Sequence, residues 1–171
     1  VTVSVLYWES FTARYTMGAT NSTELGEDSL AQELRERGEV LMHRLQADDA
    51  ALTELAVPNH GVGDSHLEQA AAALSGTTHL VSLDLAYNCI GPRGVAHLCT
   101  ALQKSTCGTS VLQELRLSGN AIGVEGCRAV CEWLDACRET CALRSLYLYQ
   151  CDLDDECALL LANALQKNRS I

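Results

Sequence analysis

The sequence predicts an α/β solenoid, a right-handed horseshoe in which parallel strands form a concave sheet and helices cover the convex side. The first observation behind this fold class is an apolar pattern that recurs from Leu52, Leu80, Leu112 and Leu143, at intervals of 28, 32 and 31 residues. The second is a helix-like stretch after each copy. Periods of this length are typical of solenoids, in which each repeat buries its apolar face against its neighbours.

The four copies fit the pattern L-x-x-L-x-L-x-x-N/C-x-L, as in LVSLDLAYNCIG. Residues of the Leu83 and Leu85 type alternate along a short strand, so they point into the core while the intervening residues face the other way. Asn88 and Asn120 lie where the chain leaves the strand, and their side chains are expected to bond backbone groups that the turn leaves unpaired. His60 and Cys151 replace Asn at the same position in the other two copies.

Each predicted strand is followed by a predicted helix with two apolar residues four positions apart, which is the spacing of one helix face. The pairs are Ala70 and Leu74, Leu98 and Leu102, Val130 and Leu134, and Leu161 and Leu165. The two longer intervals contain the extra segments KSTCGTSV and DACRETCA. We expect these segments to form loops at one rim of the solenoid.

The repeats divide the chain into two parts. Residues 51–171 hold the four repeats, and a further interval of 28 places the start of another at Ile171. We therefore expect the array to continue, or to be capped, beyond that residue. Residues 1–50 are predicted to be a degenerate repeat with an insertion, because Leu41 and Leu45 keep the apolar spacing of the later helices; a separate capping element is the alternative.

The composition limits the partners. Twelve Lys and Arg against 22 Asp and Glu give a net charge of −10, which repels phosphate backbones and anionic membrane surfaces. We therefore predict no direct nucleic acid partner and no membrane contact. The nine cysteines are an odd count, and most fall where a repeat buries them, which predicts reduced thiols and a cytoplasmic, reducing setting, with an organelle lumen as the alternative.

The segments IGPRGVAHLCTAL and AIGVEGCRAVCEWL follow the strand pattern and give the chain a family resemblance. From Leu52 to Ile171 it resembles the ribonuclease-inhibitor-like class of leucine-rich repeats, which has long convex helices. That class includes ribonuclease inhibitors, the sensing domains of nucleotide-binding immune receptors, the Ran GTPase-activating protein and leucine-rich subunits of the dynein regulatory complex in cilia. The resemblance implies the horseshoe fold, whereas any partner follows from it only by analogy.

The best binding candidates are the strand residues that face away from the core, since solenoids present their concave sheet to partners. They form three columns across the strands. The first column holds Glu54, Ser82, Glu114 and Ser145, the second Ala56, Asp84, Arg116 and Tyr147, and the third Pro58, Ala86, Ser118 and Tyr149, with Tyr87 nearby. Tyrosine combines apolar area with a hydrogen-bonding tip, so the aromatic C-terminal end adds to this prediction.

Patterns for catalysis and metal binding are weak. The sequence lacks the G-x-x-x-x-G-K-[ST], G-x-S-x-G and H-E-x-x-H motifs, and its histidines follow no catalytic spacing. Two i, i+4 cysteine pairs raise the alternative of a zinc site, but helical cysteines more often act as compact apolar residues, which we favour. These are Cys127 with Cys131 and Cys137 with Cys141. We predict no catalytic residue, no metal, no cofactor and no small-molecule substrate.

The predicted function is a non-catalytic protein–protein interaction scaffold, a subunit of a larger intracellular assembly, and the resemblance extends this to a cytoskeletal or ciliary setting. One alternative is a soluble inhibitor or sensor that recognises a basic protein through an acidic surface. The other is a GTPase activator of the Ran type, which needs an exposed arginine at the partner's nucleotide. Arg93 and Arg116 are the candidates, and we expect both to be solvated side chains.

Overall fold

The computed structural model describes residues 45, 47, 50–106, 111–137, 139 and 142–168. Within them four strands alternate with four helices, which confirms the predicted α/β fold class. The elements are β1 (Glu54–Ala56), α1 (Asp64–Gly76), β2 (Ser82–Asp84), α2 (Pro92–Thr106), β3 (Glu114–Arg116), α3 (Gly123–Ala136), β4 (Ser145–Tyr147) and α4 (Asp155–Lys167). Nearly all of the predicted N-terminal part, and the repeat start predicted at Ile171, lie outside the described residues.

The four strands form one parallel sheet in the order of the sequence. Glu54 pairs with Ser82, Ser82 with Glu114, and Glu114 with Ser145. Each strand therefore begins at the same offset in its repeat, and the helix between two strands supplies the crossover that parallel pairing needs. Backbone bonds between neighbouring repeats continue past the strand ends, as from the Tyr87 amide to the Ser118 carbonyl (2.7 Å).

The core lies between the sheet and the helices and is made of the repeated apolar positions. The predicted inward residues of the first three strands are buried, and so are the apolar pairs of α1, α2 and α3. Full burial of one leucine side chain stabilises the fold by about 1.5–3 kcal/mol. In the last repeat, Leu161 and Leu165 are only half-buried, because among the described residues α4 packs against a single neighbouring helix, α3.

Asn88 joins two consecutive repeats through its side-chain amide. Its Oδ1 accepts bonds from the amides of His60 and Val62, both at 3.0 Å. Its Nδ2 donates to the carbonyls of Val57 (2.8 Å) and Leu85 (2.9 Å). The predicted role of this turn position is therefore confirmed: one side chain pairs backbone groups that the turn would otherwise leave without partners.

Asn120 repeats this arrangement one unit later and is 2% exposed. Its Oδ1 accepts from the Ile90 amide (3.1 Å), and its Nδ2 donates to the carbonyls of Leu85 (2.9 Å) and Leu117 (2.8 Å). In the next repeat Cys151 stands at the same position. Its thiol points to the Leu117 carbonyl at 3.3 Å, so a weak donor replaces the amide there.

The cysteines of the described residues are free thiols and, apart from Cys89, are buried. Burial is the main cause that raises the pKa of Cys99 to about 12, with smaller contributions from Cys131 and Glu132. The described residues hold no group of three or more His, Cys, Asp or Glu placed to bind a metal. Cys141, which belongs to the zinc alternative, lies outside them. No helix in the described part of the chain is long and apolar enough to cross a membrane.

Candidate functional site

The structure brings the three predicted columns together on one face of the sheet, which we call the concave face. Its members follow the strand register, so residues 28 to 32 positions apart in the sequence are direct neighbours. Most of them are exposed or half-buried. Ala86 differs from this expectation, since it is only 8% exposed; it lines a hollow together with the larger side chains of Tyr87, Tyr147 and Tyr149.

Two adjoining hollows lie on the concave face. The larger, which we call the aromatic hollow, measures about 420 Å³ and is lined by Pro58, Asp84, Ala86, Tyr87, Arg116, Ser118, Tyr147 and Tyr149. The smaller, which we call the acidic hollow, measures about 280 Å³ and is lined by Glu54, Leu55, Ala56, Ser82, Asp84, Glu114 and Arg116. Asp84 and Arg116 line both, so the two hollows form one continuous surface. Of the predicted residues, Ser145 lines neither.

Arg116 stands where the two hollows meet. Its Nε donates to Glu114 Oε1 at 2.6 Å, and its Nη1 lies 3.7 Å from Asp84 Oδ2. Its guanidinium carbon lies 5.1 Å from the ring centre of Tyr147, within the range of a cation–π contact. The hydrogen bond to Glu114 is the main cause that raises the pKa of Arg116. Arg116 is 46% exposed, in keeping with the expected solvated side chain, and it is also fixed by three neighbours.

These contacts determine geometry more than stability. An exposed ion pair contributes about 0.2–1 kcal/mol, and an exposed cation–π contact about 0.5–1 kcal/mol. Asp84 is also fixed, because its Oδ1 accepts from the Ala86 amide at 2.9 Å. The acidic hollow therefore presents charges in set positions before any partner arrives.

A left-handed backbone position follows each strand. The third residue after the last strand residue has positive φ in all four repeats: Asn59 (57°), Tyr87 (55°), Gly119 (73°) and Gln150 (52°). Glycine and asparagine adopt this conformation readily, whereas a bulky residue such as tyrosine rarely does. The sequence analysis did not predict this feature. Gly119 and Asn59, which occupy equivalent positions in two repeats, were a signal for it.

The left-handed turn directs Tyr87 across the neighbouring repeat. A Cβ atom on Gly119 would lie 2.4 Å from Cδ1 of the Tyr87 ring, so the ring occupies the space that a side chain at 119 would need. Tyr149 also lines the aromatic hollow, and its amide donates to Ser118 Oγ at 3.2 Å. Both tyrosines remain 39% exposed. The aromatic hollow thus offers apolar area with hydroxyl groups, a combination suited to contacts with another protein.

Arg93, the other arginine considered for GTPase activation, is an exposed residue of α2 and lines neither hollow. Arg116 is paired with Glu114 and Asp84, which neutralise the charge that an activating arginine would bring to a nucleotide.

The comparison with known proteins agrees with the repeat geometry. A family model described as leucine-rich repeat matches residues 77–99 and 110–131. The ribonuclease inhibitor of Sus scrofa is 33% identical over 126 residues, which are 73% of this chain and 26% of that protein. The chain is a leucine-rich-repeat protein of the ribonuclease-inhibitor-like class. Human NACHT, LRR and PYD domains-containing protein 3 is 31% identical over 143 residues, which are 66% of this chain and 14% of that protein.

Two solved structures share the leucine-rich-repeat fold. The leiomodin-1 actin-binding site 2 structure superposes with a TM-score of 0.65 at 18% identity and covers 76% of this chain and 73% of its own. The tropomodulin C-terminal domain of Caenorhabditis elegans gives a TM-score of 0.53 at 16% identity and covers 77% of this chain and 92% of its own. At these identities the likeness concerns the fold. The chain spans about a quarter or less of the length of the curated relatives described above.

Proposed function

We propose that this chain is a non-catalytic protein-interaction scaffold that holds a protein partner against its concave face. The proposal rests on the position of Arg116, which lies at the junction of the two hollows and is fixed there by Glu114, Asp84 and Tyr147. Preorganised polar groups and exposed aromatic side chains lower the entropy that a partner loses on binding. Such a surface is suited to a protein, since both hollows are open and wide rather than closed around a small molecule.

The finer part of the proposal is that the chain acts as a subunit of a larger intracellular assembly, in a cytoplasmic setting that includes the cytoskeleton or cilium. The buried free thiols support a reducing compartment, because disulfides form in oxidising ones. Two names among the similar proteins also describe binding to proteins: ribonuclease inhibitor and leiomodin-1 actin-binding site 2. A solenoid of this class serves such partners without a catalytic group of its own.

Affinity capture from cells that express the chain tests the proposal. The wild-type chain should retain a fixed set of proteins at near-equal stoichiometry. Tyr147→Ala and Tyr149→Ala should each release that set, since both residues line the aromatic hollow. Leu159→Ala is the matched control, because Leu159 is a 68% exposed apolar residue of α4 that lines neither hollow.

Retention of the same set by the triple variant Glu54→Lys, Glu114→Lys and Tyr147→Ala would contradict a concave-face site.

Purified actin filaments should be included among the probes, with sedimentation as the measurement. An actin interaction that Leu159→Ala abolishes and Tyr147→Ala preserves would place the binding surface elsewhere on the solenoid.

A soluble inhibitor or sensor of a basic protein is the second candidate. It is favoured by the charge of the acidic hollow, where Glu54, Asp84 and Glu114 outnumber Arg116, and by the net charge of −10. Association with a basic partner should slow steeply as salt is added, because screening weakens electrostatic steering. An on-rate that is insensitive to salt would exclude this candidate and leave the scaffold proposal intact.

A further inference from the structure

The two hollows differ in chemistry, and this difference specifies the partner more closely. The acidic hollow carries three carboxylates and one guanidinium. Glu114 and Asp84 are partly engaged with Arg116, whereas Glu54 is exposed and takes no part in the ion pairs of the described residues. The hollow therefore has a surplus of negative charge and spare carboxylate oxygens, which a lysine or arginine side chain would satisfy.

The aromatic hollow is suited to a different group. Three tyrosines, Pro58 and Ala86 are among the residues that line it, and Ala86 has little exposed area. A large apolar or aromatic side chain placed there would lose contact with water and stack against the tyrosine rings. The ring of Tyr87 lies over Gly119, and that of Tyr147 lies against the guanidinium of Arg116. With a volume of about 420 Å³, the hollow has room for side chains rather than for a folded domain.

The strand geometry gives the distance between the two sites. The acidic hollow spans the first and second columns, and the aromatic hollow the second and third, so their centres are displaced by about one column along the strands. Adjacent columns are two residues apart, which is about 7 Å in a strand. In an extended partner segment, side chains two positions apart point to the same side and are separated by the same distance of about 7 Å.

We propose that the concave face takes an extended segment of a partner protein in which a lysine or arginine lies two residues from a large apolar side chain. The cationic side chain enters the acidic hollow beside Glu54, and the apolar one enters the aromatic hollow beside Tyr87 and Tyr149. The inference rests on the proposed function and adds the chemistry of the partner. Complementary charge selects the segment, and the apolar side chain supplies most of the buried area.

A phage-displayed library of short random peptides, selected on the full chain, tests this chemistry. Enriched peptides should carry a basic residue two positions from an aromatic or large aliphatic one. Their binding should fall about tenfold with Glu54→Gln, since each lost charge-assisted hydrogen bond costs roughly that factor. Tyr149→Ala should weaken them at least as much. Glu68→Gln, at an exposed carboxylate of α1 outside both hollows, should leave binding unchanged.

The outcomes separate the inference from the proposed function. Acidic or purely apolar peptides that bind and are lost with Tyr149→Ala would overturn the basic-and-apolar pattern but support the concave face as a binding surface. Enriched peptides whose binding survives Glu54→Gln and Tyr149→Ala would contradict both. A library without enriched peptides overturns the inference alone, because the affinity capture described above still tests the scaffold function with a folded partner. Concentration-dependent self-association that Tyr149→Ala abolishes would identify a second copy of the chain as the occupant instead.

Discussion

The ring of Tyr87 occupies the space above Gly119, the residue at the equivalent position in the next repeat. Both residues have positive φ, 55° and 73°, and a Cβ on Gly119 would lie 2.4 Å from the ring. Tyr87 tolerates a conformation that costs a bulky residue about 1–2 kcal/mol, and its ring then forms one wall of the aromatic hollow. This pair therefore connects local backbone strain to the shape of the surface that we propose for binding.

Gly119→Ala should lower the free energy of unfolding by about 2–4 kcal/mol, because alanine adds a clash with Tyr87 to the cost of positive φ. Gly61→Ala is the matched control, since Gly61 has a φ of 67° but open space around its Cβ position, and it should cost only about 1 kcal/mol. Urea unfolding measures both. Measured against Tyr87→Ala alone, the double variant Gly119→Ala and Tyr87→Ala lacks the clash, and the loss that Gly119→Ala adds should match that of Gly61→Ala. Equal losses for both single variants would show that the ring moves away without cost.

Asn120→Ala should destabilise the chain by about 3 kcal/mol. The substitution leaves the buried amide of Ile90 without the partner it has now, and an unsatisfied buried group costs about 1–3 kcal/mol. It also removes one hydrogen bond from each of the carbonyls of Leu85 and Leu117, which keep their bonds from Asn88 and Cys151. Cys151→Ala, at the same position of the next repeat, should cost only about 1 kcal/mol, because a thiol is a weak donor. Asn163→Ala, at an exposed site of α4, is the control and should change little. A loss at Cys151 as large as at Asn120 would refute the difference in bonding.

The buried thiols predict a characteristic reactivity. In a variant with Cys107→Ser and Cys141→Ser, Cys89 should react with a disulfide reagent at once, and the other thiols only after unfolding, since they are buried. Counting the thiols that react before and after addition of urea is the measurement. Rapid reaction of more than one thiol in the folded chain would show that the helices open easily.

The raised pKa of Cys99 also predicts how stability depends on pH. Its folded value of about 12 lies above the ordinary value of 9.0, so the unfolded chain loses this proton first as the pH rises. The contribution of Cys99 is therefore complete below about pH 9 and is lost progressively towards about pH 12. The urea midpoint should fall as the pH is raised through this window, and the fall should be smaller in Cys99→Ala. Identical pH profiles for the two proteins would contradict the burial of this thiol.

The fold and the columns of the concave face could be predicted because both follow from the repeat period. Once Leu83 and Leu115 are assigned to equivalent strand positions, the register places Asp84 beside Arg116 without further information. The contacts of Arg116 could not be predicted in this way. They depend on the direction that the side chain takes between Glu114 of its own strand, Asp84 of β2 and the ring of Tyr147 on β4. A pattern of single letters does not contain that direction.

The left-handed positions show a second limit of the sequence. Gly119 and Asn59 suggest positive φ by residue type, but Tyr87 and Gln150 adopt the same backbone because the repeat imposes it. Local preference and repeat geometry disagree at these two residues, and the repeat geometry prevails. Ala86 also departs from the strand pattern, which alone would place it in solvent, since it is only 8% exposed.

The fixed guanidinium of Arg116 predicts that its shape matters for binding more than its charge. Arg116→Lys keeps the charge but loses the planar fork that bonds Glu114 and stacks on Tyr147, so the partner or the selected peptides should bind several-fold more weakly. The free energy of unfolding should change by less than about 1 kcal/mol, since the contacts are exposed. Calorimetric binding and urea unfolding of the same samples separate the two effects. Arg93→Lys, on α2 and outside both hollows, should alter neither quantity. If Arg116→Lys and Arg116→Ala both bound the partner as tightly as the wild-type chain, Arg116 would take no part in binding. The binding surface would then exclude the junction of the two hollows.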